Sequence, residues 1–86
     1  MNTLFLLMAR HDGKPVISVD DICADYFTHL NPVKFLRKVR LGEIDLPVVA
    51  MEDSQKAARG VHLEDLAKYL DARRAAAARE CHRLRS

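Results

Sequence analysis

Four cationic side chains, Lys34, Arg37, Lys38 and Arg40, fall within a short stretch of the chain. Helical spacing places Lys34, Arg37 and Lys38 opposite Phe35, Leu36 and Val39, which share their side with Pro32, while Arg40 falls at the margin. A helix gripped by that apolar side could present its basic side to the roughly 12 Å wide major groove of DNA. Arginine forms paired hydrogen bonds with guanine O6 and N7, whereas lysine supplies a less directional charge, so Arg37 is the expected base reader. Asn31 and the backbone N–H groups at the start of this helix are candidates for holding a phosphate. Further along, Ser54, Gln55, Lys56 and Arg59 suit contacts to the DNA backbone or minor groove. A charged helix face is often merely solvated. The DNA reading therefore depends on the elements around it.

Enzymatic chemistry finds much weaker support. His11, His29, His62 and His82 are scattered, and none lies at metal-ligand spacing with Cys23 or Cys81. His62 is followed by Glu64 and Asp65, but no nucleophile motif or glycine-rich phosphate loop accompanies them. The two cysteines show no paired spacing, so neither a disulfide framework nor a metal motif is indicated, and a reducing, cytoplasmic setting is expected, nucleoid-associated if the DNA reading holds. Cys23 reads as a core residue. No catalytic residue, metal or cofactor is expected.

The helix that carries the basic face has the clearest start signal in the chain. Asn31 is suited to N-cap it, Pro32 occupies the first helical position, and Gly42 suits a left-handed stop, which predicts a helix over 31–41. Before it, Ser18 with Asp21 three residues later forms a capping-box pattern. The helix this opens, over 19–27, buries Val19, Ile22, Cys23 and Tyr26 on one face. Residues 28–30 form the break. The run 3–11 favours helix, because no β-branched residue follows Thr3, and Asp12-Gly13 marks a turn before a short extended stretch at 15–17. Residues 46–51 and 57–62 read as two strands of a hairpin; Pro47 argues for an edge position and Gly60 weakens the second strand. A long helix over 63–83 closes the chain, with Glu64 and Asp65 in its first turn and arginines near its end, complementing the helix dipole.

Helix, short break, basic helix, hairpin and helix is the order of a winged helix-turn-helix. The expected fold is thus mainly α with a small β-hairpin, in a single domain over 1–86. At 86 residues the chain can bury only a thin core, so a homodimer is the expected form. Leu4, Phe5, Leu7 and Met8 form one candidate dimer element. Leu70, Ala77 and Leu84, on a seven-residue repeat from Leu63, form another. The apolar run at 4–8 is far shorter than the ~20 residues of a membrane span, and it lacks the flanks of a signal peptide. Neither membrane association nor export is expected. The net charge of +2 does not announce a nucleic-acid partner by itself, so the local charge pattern must carry that case.

Three stretches, FLLMARHDGKPVIS at 5–18, DYFTHLNPVKFLRKVRLGEIDLPV at 25–48 and SQKAARGVHLEDLAKYLDARRAAA at 54–77, resemble the pyocin activator protein family, PrtN. The resemblance covers nearly the whole chain and lies in its run of residues rather than in a short catalytic signature. It implies a bacterial transcriptional activator, encoded with prophage or phage-tail-like bacteriocin genes, that binds repeated boxes upstream of the genes it switches on. RNA polymerase is then a candidate partner beside double-stranded DNA. The order of elements is also similar, more distantly, to excisionase and MerR-type domains. Two rival readings follow: an excisionase-like factor that bends DNA for recombination, and a small adaptor whose 4–8 segment docks on another protein.

Overall fold

A computed structural model describes residues 2–54 and 56–85. Its elements run α1 (Thr3–Arg10), β1 (Val16–Ser18), α2 (Val19–Tyr26), α3 (Pro32–Arg40), β2 (Val49–Ala50), β3 (Arg59–His62) and α4 (Leu63–Arg85). The protein is mostly helical, with a small antiparallel sheet.

Local chemistry sets the helix starts. The side chain of Asn2 accepts a hydrogen bond from Phe5 N at 2.9 Å, that of Ser18 from Asp21 N at 3.2 Å, and that of Asn31 from Lys34 N at 2.8 Å. Each satisfies a backbone donor that the helix leaves without an internal partner. At the end of α3, Gly42 adopts φ +77°, a conformation that disfavours any side chain, while Gly42 N and Glu43 N donate to the carbonyls of Val39 and Lys38. His62 Nδ1 accepts from Glu64 N at 3.0 Å, so the histidine beside the two acids helps start α4.

The sheet has three strands, in the order β1-β3-β2. The extended stretch before α2 becomes its third member, pairing Val16 with His62 and Ile17 with Val61, while Val49 and Ala50 pair with Gly60 and Arg59 from the other side. The strand expected over 46–51 shortens to Val49–Ala50. Ile44 and Leu46 turn into the core instead, and Pro47 has no N–H to offer a ladder. The second strand begins at Arg59 because residues before it close the turn, with Ala57 N donating to the Ser54 carbonyl and Met51 N to that of Ala58.

One apolar cluster joins every helix to the sheet. Phe35, Ile22, Leu46, Leu66 and Val61 are its largest fully buried side chains, with Leu7, Ile17 and Cys23 also inside. Burial raises the Cys23 thiol above its ordinary value, and the nearby Asp20 carboxylate adds to the effect. Phe27 is a hub: its ring lies 5.0 Å from that of Phe35 and 5.9 Å from that of Tyr69, linking α2, α3 and α4. Among the described residues, no helix is long and apolar enough to cross a membrane.

Candidate nucleic-acid interface

Helix α3 is held by burial on one side. Phe35 has no solvent exposure, and Pro32, Leu36 and Val39 are half-buried. Lys34, Arg37 and Arg40 remain exposed on the other side. The four cations are not equivalent. Lys38 is half-buried, and its ammonium lies 3.5 Å from the Glu43 carboxylate just past the helix end, so part of its charge is already matched.

Val33, absent from the sequence expectations, is 78% exposed at the N-terminal end of this face. It precedes Arg37 by four residues and Arg40 by seven, a spacing that aligns all three along one line of the helix. That spacing was the available signal. The result is a small apolar contact point at the N-terminal end of a line that continues through two guanidinium groups.

The start of α3 offers fewer donors than its sequence suggests. Pro32 has no N–H, the Lys34 N–H is taken by the Asn31 side chain, and the Phe35 N–H bonds to the Asn31 carbonyl. Within the first turn this leaves the Val33 N–H for an anion. Asn31 therefore acts first as a cap.

Beyond α3 the chain turns through the core and returns as the β2–β3 hairpin. Leu36, Val39, Arg40, Val48 and Arg59 line an open cleft between helix and hairpin, with an apolar floor and an arginine contributed from either side. Ser54 shapes the hairpin turn, its Oγ accepting from Lys56 N at 3.2 Å. Lys56 is exposed, but the same turn carries the exposed acids Glu52 and Asp53, so the hairpin's positive charge is more effective at Arg59, near the cleft, than at the tip. Gln55 lies outside the described residues.

Behind the basic face, α1 is clamped to α2. Arg10 forms an ion pair with Asp25 at 3.2 Å, and His11 Nε2 lies 3.0 Å from the Tyr26 hydroxyl in a half-buried contact. Burial raises the Tyr26 phenol above its ordinary value; Asp25 reinforces this and Arg10 opposes it. His11 is thus part of the packing between α1 and α2.

The residues considered for dimer contact divide between core and surface. Leu7 is buried in the chain's own core, and Leu4 and Leu70 pack against it. Phe5 and Met8 are exposed beside Leu6, and Ala77 and Leu84 are exposed on α4.

Taken together, these features define a small α+β domain that presents a basic helix beside a β-hairpin. The chain belongs to the pyocin activator protein PrtN family, whose family model matches residues 3–77. The match spans α1 through most of α4 and includes all of the basic face. No curated protein and no solved structure matches the chain.

Proposed function

We propose that this protein is a sequence-specific, DNA-binding transcriptional activator of pyocin-type genes, built as a winged helix-turn-helix. In this reading α2 and α3 are the helix-turn-helix, and α3 lies in the major groove. Arg37 reads a guanine edge, Val33 meets a thymine methyl, and Lys34 and Arg40 neutralise phosphates. The β2–β3 hairpin is the wing.

The observation that carries the reading is the pairing of a fully buried Phe35 with exposed Arg37 and Arg40 on the same short helix, next to a cleft that Arg59 shares from the hairpin. The burial fixes the helix axis. The cleft gives a phosphate strand a course between helix and wing, with a cation on either side. Family membership supports activation as the outcome of binding.

The test is a gel-shift series on DNA upstream of the chain's neighbouring genes, with footprinting to locate the site. If about six phosphates are neutralised, affinity should fall roughly a thousandfold between 50 and 200 mM salt. Absence of binding to any upstream fragment, or binding indifferent to salt, would overturn the proposal.

A further inference from the structure

Helix α4 has 23 residues and is therefore about 35 Å long. Only its first part has a core to rest on: Leu63, Leu66 and Ala67 are buried, whereas residues 77–85 are all exposed. The molecule extends 50 Å along its long axis against 29 and 20 Å across it. A helical segment with so little burial gains much of its stability only when another surface packs on it.

The charges on α4 are segregated along its length. Residues 63–71 hold Glu64, Asp65 and Asp71 against one lysine, whereas residues 72–85 hold five arginines against Glu80. An open groove beside the acidic half adds Glu43 and Asp45 to Asp65, three carboxylates against Lys68 and Arg73, with Tyr69 on its wall. A basic helical half and an acidic grooved half on one rod are complementary to each other in a second copy running the opposite way.

We propose that two copies of the chain pair through α4, antiparallel, about a two-fold axis beside residue 74. Asp65, Tyr69, Ala72, Ala76, Arg79 and Arg83 alternate at spacings of four and three residues, the repeat that keeps one seam facing a partner helix. All are exposed or half-buried. Reversing this seam about residue 74 sets Asp65 against Arg83 of the second copy, Tyr69 against Arg79, and Ala72 against Ala76. It also sets Lys68 against Glu80 at the edge. Each contact then occurs twice, as a two-fold interface requires.

The alanines allow close helix approach at the centre, and opposite charges or a cation over an aromatic ring flank them. Arg83 already bonds Glu80 on its own helix, and in the dimer this pair faces the second copy's Asp65 and Lys68 together. A parallel arrangement would instead align the two arginine-rich halves and is disfavoured by repulsion.

The experiment uses the full chain without DNA, so its outcome is independent of the proposed function. Sedimentation should give the mass of two chains. Asp65→Arg should weaken dimerisation about tenfold or more, because a repeated attraction becomes a repeated repulsion, and Arg83→Asp should do the same. The double variant D65R/R83D should restore association to near the wild-type level, which a merely misfolded single variant could not explain.

The native Cys81 provides a second measurement with no substitution at the interface. In the antiparallel dimer the two Cys81 residues lie about 20 Å apart along the helix axis, beyond the roughly 7 Å Cα separation a disulfide tolerates. Oxidation of the wild type should therefore yield no covalent dimer. A monomer at about 100 μM, failure of the double variant to recover, or a Cys81–Cys81 linked dimer would overturn the proposal.

Discussion

Gly60 lies so close to Ile17 that a Cβ added to it would stand 2.6 Å from the Ile17 carbonyl oxygen. The same atom would meet Val16 Cγ1 at 2.6 Å, and Gly60 pairs with Val49 across its other edge. No side chain fits there without parting β1 from β3. Gly60→Ala should lower stability by about 1–3 kcal/mol, the usual range for overpacking a tight site. Urea denaturation would measure it, and wild-type stability in the variant would contradict this account of the sheet.

Phe35 gives the second prediction, because it is fully buried and its ring packs on Phe27. Phe35→Ala should cost about 3–5 kcal/mol, a large share of the stability of a small domain. Cooperative unfolding by circular dichroism should weaken or vanish, and DNA affinity should fall with it. Phe35→Leu should retain the fold with a smaller loss.

The exposed cations separate by role in binding assays on specific and random DNA. Arg37→Ala should cost about 1–3 kcal/mol on the preferred site and relax the choice at one base position, whereas Lys34→Ala should weaken all sequences alike. Lys38→Ala should have less effect than Lys34→Ala, because Glu43 already engages the Lys38 ammonium. Equal losses from Arg37→Ala on both DNAs would remove it from base reading.

Alkaline pH should destabilise the fold. The Cys23 thiol and the Tyr26 phenol are both raised above their ordinary values of 9.0 and 10.0. Above those values the unfolded chain releases protons that the folded chain retains, so stability present below about pH 9 is lost as the pH rises further. Unfolding midpoints measured from about pH 8 to about pH 10.5 should decline. Cys23→Ala should make the early part of that decline shallower.

Features controlled by neighbouring residues were legible in the sequence. Ser18 and Asn31 cap their helices, and Gly42 ends α3 with a positive φ, because each depends on a few adjacent backbone groups. The buried side of α3 was legible for a similar reason, its apolar spacing matching the helical period.

What remained hidden depends on distant parts of the chain. Residues 15–17 could be read as extended, but their pairing with β3 spans more than forty residues, which no local pattern encodes. Continuous apolar character over 4–8 could not reveal that Leu7 turns inward while Phe5, Leu6 and Met8 face out. In the candidate interface, Lys38 looked equivalent to Lys34 until the turn at Gly42 carried Glu43 back to it. Val33 carries no signal of its own in the sequence, because an exposed valine is unexceptional until it is aligned with Arg37 and Arg40 on one side of a helix.

The central position of β3 has a consequence for synthesis on the ribosome. Its partner β1 is made early, yet Val16 and Ile17 must await His62 and Val61, and α1 must await α4. The α2–α3 pair, joined by nearby contacts, can assemble sooner. The emerging chain thus carries its basic helix before the hairpin beside it is locked, and the complete surface forms only after the start of α4 has been released. Shortening the chain within β3 should abolish the sheet while leaving the sequence of the basic helix intact.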